Sequence, residues 1–308
     1  MNLVISPEVG EAIGGGRPVV GLESSNIVGG SYPANVLLAE ELDATIRDHG
    51  AIPARVAALD GQVHVGLDKA LLDRLARDPS GAKVSNRGLA VALQRMQAAG
   101  TTVSASLIGA AAAGLRVFAV AGIGGVHRGA ETSFDISTDL TQFAETPIAV
   151  VCAGAKSLLD PRLTLEYLET RGVPVIGYKS DDFPGYLTVS SGEPVPHRSD
   201  DLREIAEIVH RHWADVARTS VLITTPIPTE AALDSALLDD LIREALDTAQ
   251  AQGATGADLT PFVLGAVAEA TEGRSTEVNR AVLLSTVALA ADYAVTEADV
   301  FDRSRLNA

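Results

Sequence analysis

The densest chemistry in the chain lies between Ala121 and Leu140, AGIGGVHRGAETSFDISTDL. Gly122, Gly124, Gly125 and Gly129 allow positive φ and let backbone N–H groups approach a ligand. His127 and Arg128 offer donors to an anion. Asp135, Ser137 and Asp139 offer hard oxygens of the kind a divalent cation takes, spaced to share one side of an extended segment. Apolar runs flank the stretch, Leu115 to Val120 before it and Ile148 to Ala153 after it, and the second leads to Lys156. A Gly-rich loop with charges is ordinarily a solvated turn. Anion donors, cation ligands and a strand-end lysine so close together point to a ligand site.

Lys156 closes the uncharged run IAVVCAGAK. Its amine is expected to be short of water, which favours the neutral form that attacks a carbonyl. A lysine snorkelling out of a strand end leaves the same trace in a sequence. Glu23 ends the strand-like PVVGL, where open α/β sheets place ligand-binding groups and where a general acid or base would serve. A plain loop acid fits there equally well. Lys83 would bind a phosphate, tune Lys156 by repulsion, or simply be exposed. These residues describe a sugar-phosphate or carbonyl site with acids, lysines and a divalent metal; they do not name a reaction.

The elements that must position them alternate. Helical patterns are expected at Pro7–Ala12, Val36–His49, Asp68–Arg77, Leu89–Ala99, Leu107–Gly114, Pro161–Arg171 and Asp200–Arg218. Thr229 and Thr260 are expected to cap two more helices, and Ser275–Tyr293 forms a last long one. Strands are expected at Pro18–Leu22, Ile52–Leu59, Gln62–Val65, Pro174–Tyr178 and Val221–Thr224, with a hairpin at Asp60-Gly61. Thr101 to Ser106 reads as extended. The pattern predicts an α/β fold: an α/β/α layered sandwich with a central mostly parallel sheet and a helical C-terminal third, as one domain over 1–308.

Composition narrows the function. Of 308 residues, 46% are hydrophobic but only 4% aromatic, the mix of Val/Ile strands and Ala-rich helices. With 24 basic and 40 acidic residues the net charge is −16, which argues against nucleic-acid or membrane-surface binding. An anionic substrate would need a local basic cluster. The single Cys152 sits in an apolar run and reads as a buried structural thiol in a reducing, cytoplasmic setting. No secretory leader and no apolar run of membrane-span length is expected. His49, His64, His197, His210 and His212 are scattered, so a zinc-type hydrolase lacks its ligands.

The chain resembles the pseudouridine-5′-phosphate glycosidase family over most of its length. The resemblance rests on VVGLES (Val19 to Ser24), KVS (Lys83 to Ser85), TTVSAS (Thr101 to Ser106) and GIGGVHRGAETSFDIS (Gly122 to Ser137). It continues through VVCAGAKS (Val150 to Ser157), GVPVIGY (Gly172 to Tyr178), PIP (Pro226 to Pro228) and TPF (Thr260 to Phe262). The resemblance implies a homotrimeric enzyme that reversibly joins C1′ of ribose 5-phosphate to a carbon of its partner, uracil or an aromatic acceptor. Lys156 would form a Schiff base with the opened sugar, Glu23 would move the ring-opening proton, and Lys83 would assist at the sugar. Asp135, with Asp139, would hold a divalent metal of the Mn2+ type. Val103, Ser106, His127, Arg128, Ser137, Thr138, Asp139 and Asn279 would line the substrate, with Thr101, Thr102, Ser106 and Arg128 as phosphate candidates. An iminium at C1′ is an electron sink, so the paired carboxylates of ordinary glycosidases are not required.

Several positions depart from the family pattern. The family's ESTIISHGMPYPQN is ESSNIVGGSYPAN here, with Gly29 near an expected histidine. Val120 and Ala121 replace a threonine and a glycine, Asn86 and Gly88 an arginine and an acid, Thr225 an asparagine, and Ser285-Thr286-Val287 an Asn-Asn-Ala. Losing polar partners favours a larger, flatter, less polar acceptor than uracil. The sequence reading therefore places the chain first as a C-ribosylating synthase, of the alnumycin C-glycosynthase type. A degradative pseudouridine 5′-phosphate glycosidase is the alternative, and a silent sugar-phosphate-binding protein a third.

Overall fold

Short Val- and Ile-rich runs form the middle of the sheet. Val19–Leu22, Val117–Ala119, Ala149–Cys152, Val221–Thr224 and Val175–Tyr178 lie side by side in that order and lead to the edge strand His197–Ser199, every pair parallel. The first four are buried along their whole length, which explains their lack of polar alternation. The computed structural model describes residues 1–28, 30–254 and 259–306.

On its other side Val19–Leu22 pairs with Ile52–Leu59, parallel, through Ile52 to Arg55 only. Ile52–Leu59 then runs on beyond the end of its neighbour. Its second half is taken by Gln62–Val65 and Ala99–Thr101, both antiparallel, and Ala99–Thr101 carries Lys83–Val84 in parallel. Asp60 and Gly61 have φ of 53° and 73°, the hairpin turn their types predict. Leu3–Ile5 completes the eleven-stranded sheet, mostly parallel as expected. A separate two-stranded ladder joins Val126–His127 to Leu159–Asp160.

Helices cover the sheet in two groups. Ala34–Asp48, Leu202–Arg211 and Arg274–Leu306 pack together, the last also against the central strands. Val103–Ala113, Asn86–Gln94 and Thr138–Phe143 form the other group. The helices Ser235–Ala251 and Leu259–Ala270 pack on each other and extend the helical final third. One buried cluster runs through both layers from Val9 to Val300. By length and composition Arg274–Phe301 would cross a membrane, against expectation. In this fold it is the core helix, burying Val282, Ala290, Ala291 and Tyr293.

Several boundaries differ from the sequence reading. The stretch expected to be extended to Ser106 becomes helix at Val103, because the strand's partner Lys83–Val84 ends opposite Thr101. The helix expected over Leu89–Ala99 is Asn86–Gln94, ending before Ala99–Thr101 joins the sheet. Asp234, not Thr229, caps the helix Ser235–Ala251, its side chain accepting from Leu237 N at 2.9 Å. Pro226 and Pro228 keep the segment leading up to Thr229 irregular. Leu259–Ala270 starts before Thr260, so Thr260 is not its cap. Asp200–Arg218 is an α-helix only over Leu202–Arg211, then one wider π-helical turn, His212–Val216.

Close packing of the helix Val103–Ala113 depends on Gly109. A Cβ there would lie 2.8 Å from Val63 Cγ1 and 2.9 Å from Val56 Cγ1. Gly109→Ala should therefore destabilise the fold by about 1–3 kcal/mol despite better helix propensity, read as a lower urea midpoint with unchanged slope.

Candidate active site

Parallel strands place their C-terminal ends on one edge. The chain leaves Val19–Leu22 towards Ile52–Leu59 on one side, while Val117–Ala119 lies on the other. The crevice between such divergent connections is where open α/β sheets bind ligands. Glu23 stands at the end of the first strand, and the Gly-rich loop follows Val117–Ala119. Lys156 follows Ala149–Cys152.

Glu23 is gripped from both sides. Ser24 Oγ donates to Val56 O at 2.5 Å, and Ser24 N to Thr101 O at 3.1 Å. Arg55 Nη1 donates to the carbonyl of Glu23 itself at 3.1 Å, while Arg55 Nη2 pairs with Asp43 at 2.7 Å. Ser25 Oγ donates to Glu23 Oε2 at 2.6 Å. Arg55 was missed by the sequence reading. Its signal is a charge inside the apolar run IPARVAAL, and it is only 2% exposed.

Glu23, Lys83 and Lys156 form one electrostatic unit. Burial raises the Glu23 carboxyl above the ordinary range, opposed by the charge of Lys156, the Ser25 hydrogen bond and the charge of Lys83, and reinforced by Asp139. Burial lowers the Lys83 ammonium, with Glu23 opposing and Lys156 adding to the effect. By surface area Lys83 is nonetheless exposed. The Lys156 loop is zipped to the Gly-rich loop: Ala153 N donates to Ala121 O, Ile123 N to Gly154 O and Lys156 N to Ile123 O, at 2.8, 3.0 and 3.1 Å.

Asp139 fastens the Gly-rich loop to the neighbouring helix. It is buried, with Oδ1 accepting from Ser104 N and Oδ2 from Gly124 N, each at 2.9 Å. A Cβ on Gly124 would fall on Ser137 Oγ and, at 2.8 Å, on Asp139 Oδ2. Ser137 Oγ caps the helix Thr138–Phe143, and Thr138 Oγ1 lies 3.1 Å from Ser104 Oγ. His127 Nδ1 is 4.0 Å from Asp135 Oδ2. Burial lowers its imidazole pKa, against the charge of Asp135 and with that of Lys156.

Other expected positions sit deeper in the fold. Ser106 is 0% exposed and hydrogen-bonded to Thr101 Oγ1 at 2.7 Å. The Val103 side chain is 1% exposed, so its offer to a ligand is the backbone N–H at the start of its helix. Arg128 is paired with Asp239 at 2.9 Å and caps Ser157 O. It lines a cavity of about 340 Å³ that also touches Lys156. Asn279, on the long C-terminal helix, accepts a 2.5 Å hydrogen bond from the hydroxyl of Tyr186, a second residue the sequence reading missed. Its signal was faint: a tyrosine in an irregular Pro/Gly segment.

The family model described as "Indigoidine synthase A like protein" matches residues 8–296. A pseudouridine-5′-phosphate glycosidase of Sorangium cellulosum is 45% identical over 99% of this chain and 96% of its own. One from Dickeya dadantii is 47% identical over 96% and 94%. This chain belongs to the pseudouridine-5′-phosphate glycosidase, or indigoidine synthase A-like, family. Among solved structures, the prealnumycin C-glycosynthase AlnA in complex with ribulose 5-phosphate superposes with a TM-score of 0.92 at 38% identity, covering 98% of this chain and 99% of that one. An indigoidine synthase A-like protein of Thermotoga maritima matches at 0.86 and 28%, covering 96% of each chain.

The metal expected in this glycosidase-family site is fitted only in part. Each Asp139 oxygen accepts from a backbone N–H group, which leaves Asp135 the more available of the two expected aspartates. Asp135 is 36% exposed and free to hold a cation largely through water. No group of three His, Cys, Asp or Glu ligands occurs among the described residues. Of the departures from the family pattern, Val120 and Ala121 are buried, and Asn86 Nδ2 donates to Gln142 Oε1 at 3.2 Å. Thr225 N donates to Cys152 O at 3.0 Å, and Thr286 Oγ1 is buried without a partner among the described residues. Gly29 lies outside the described residues.

Folding raises the pKa of Glu23, so its carboxylate weakens the fold above that raised pKa and its neutral form does not. Glu23→Gln should raise the thermal midpoint at pH 8 by on the order of 2 °C, and the gain should vanish by pH 4, where the carboxyl is protonated folded or unfolded. Scanning calorimetry at the two pH values checks the sign.

Proposed function

We propose that this chain makes and breaks the C–C bond between C1′ of ribose 5-phosphate and a ring carbon through an imine on Lys156, with pseudouridine 5′-phosphate as its substrate. The observation that carries the reading is the meeting of Glu23, Lys83 and Lys156 at one crevice, with Glu23 biased towards its protonated form. In the cleavage direction Glu23 gives its proton to the ring oxygen as the C1′–O bond breaks. The Lys156 amine bonds to C1′ and gives a proton back to the Glu23 carboxylate. The ring carbon takes that proton and leaves as the nitrogen lone pair forms the C=N bond. Water hydrolyses the imine, releasing ribose 5-phosphate and the amine. Lys83 supplies a cation beside the sugar. A water-rich Mn2+-type ion anchored by Asp135 would add positive charge for the phosphate. The His127 ring lies beside that carboxylate.

The cleavage direction takes precedence over the synthetic one expected from sequence, because the relatives named as glycosidases are the more similar. The C-ribosylating reading is retained as the second, on the buried Val120 and Ala121 beside the Gly-rich loop and the close superposition on AlnA. A homotrimer belongs to the same proposal. Light scattering should give three times the 31.9 kDa chain mass.

Borohydride should trap ribose 5-phosphate on Lys156, a covalent adduct seen by peptide mass spectrometry. Lys156→Ala should abolish the adduct and lower turnover by roughly 10³-fold or more. Full activity in that variant would end the proposal, and turnover of an aromatic acceptor but not of pseudouridine 5′-phosphate would move it to the second reading. Asp135→Asn should raise the Mn2+ concentration for half activation roughly tenfold, whereas Asp139→Asn should lower the thermal midpoint by loosening the Gly-rich loop.

A further inference from the structure

The two oxygens of the Glu23 carboxyl are not alike. Oε2 accepts from Ser25 Oγ at 2.6 Å, while Oε1 has no hydrogen bond among the described residues. Ser25 is itself held in place. It opens the short helix Ser25–Val28, whose Ile27 and Val28 are buried. It follows Ser24, which is tied to Val56 O and Thr101 O, and Ile27 N donates to Ser24 O at 3.1 Å to close the turn around it. Among the described residues the Ser25 hydroxyl has one partner, the Glu23 carboxyl. The side chain is only half-buried, so packing does not account for a hydroxyl at this position.

We propose that Ser25 is a positioning residue for the acid step: its hydroxyl holds Oε2 and so makes Oε1 the oxygen that delivers the Glu23 proton to the sugar ring oxygen. This rests on the imine reading above and names the group that orients its proton donor. A donor fixed on Oε2 makes that atom the carbonyl oxygen of the neutral acid, which leaves the acidic proton on Oε1. When Oε1 gives up its proton, Glu23 becomes a carboxylate and the Ser25 bond becomes charge-assisted, roughly twice as strong as between neutral groups. The hydroxyl keeps its own proton throughout, and Oε1 takes one back from the Lys156 amine. Ser25 thus favours the state after donation over the state before it, which speeds the transfer. Lys156 and Lys83 also favour the carboxylate, whereas burial and Asp139 favour the acid. Arg55 reaches the Glu23 carbonyl, and the Tyr186 phenol, its pKa pushed up by burial and by Glu23, adds no charge. None of these groups is altered in a Ser25 variant.

Cleavage of pseudouridine 5′-phosphate is the readout. Ser25→Ala should lower kcat about tenfold and change KM by less than about twofold. The lost bond favoured the carboxylate, so Glu23 keeps its proton to higher pH, and the limb on which kcat falls with rising pH should move up by about one pH unit. Ser25→Thr keeps the hydroxyl and should restore both kcat and the limb. Ser25→Val has the shape of threonine without its hydroxyl and should behave as Ser25→Ala does. Ribose 5-phosphate opens to its aldehyde in solution, so its trapping on Lys156 by borohydride should change by less than about threefold in these variants. An unmoved kcat and limb in Ser25→Ala, no rescue by Ser25→Thr, or wild-type behaviour in Ser25→Val would overturn the proposal. Should Ser25→Ala fail to fold, the Thr and Val pair decides. Absence of any trapped adduct in the wild-type chain would defeat the imine reading, whereas a trapped adduct with an unmoved limb defeats this proposal alone.

Discussion

A parallel sheet can reverse its winding only by leaving a gap, and this molecule hangs its chemistry on that gap. Between Val19–Leu22 and Val117–Ala119 the connections diverge, which opens a crevice at the strand ends. Ile52–Leu59 outruns Val19–Leu22 and hands its free edge to Ala99–Thr101, which brings Lys83–Val84 over the same opening. Three residues distant in sequence, Glu23, Lys83 and Lys156, thus meet without any special loop having to reach across. Backbone pairing does the positioning, and backbone pairing is insensitive to most side-chain changes.

The electrostatics follow from that geometry. Burial pushes acid and amine in opposite directions: Glu23 towards COOH, Lys83 towards NH2. The attraction between acid and amines opposes burial without cancelling it. Asp139 shows the contrasting case. Two backbone N–H groups satisfy its carboxylate, so it serves as a fastener between the Gly-rich loop and the helix Val103–Ala113.

How much of this is written plainly in the sequence depends on how local the cause is. The strands VVGL and AVVC, the Asp60-Gly61 turn and the Asp68 and Asp160 caps follow from neighbours a few residues away. Glu23 and Lys156 stood out because each ends an apolar run, and the family likeness then joined them to Lys83. Asp139 was legible as a carboxylate near a glycine loop but not as a fastener, since its partners, Gly124 and Ser104, lie 15 and 35 residues away. The extended stretch expected from Thr101 to Ser106 ended too late for a similar reason. Its partner Lys83–Val84 stops opposite Thr101, so Ser106 lies in a helix with its hydroxyl against Thr101. Arg55 left a visible anomaly whose meaning, holding the carbonyl of Glu23, needs the sheet order to be read.

The division between what is shared with relatives and what differs has a physical basis. Changes near the reacting atoms disturb groups that depend on one another: Lys156 influences Glu23, Lys83 and His127 at once, so each constrains the rest. The walls are freer. Val120 and Ala121 exchange one buried small group for another, and Asn86 replaces an expected arginine while still finding Gln142 as a partner. Tyr186 lies at the boundary between the two regions. Its backbone is fixed by Ala153 and its ring by Gly122, but its hydroxyl is a single polar atom whose loss leaves the packing intact. A position of that kind can lose one polar atom while the two loops it joins, and the lysine that one of them carries, stay in register.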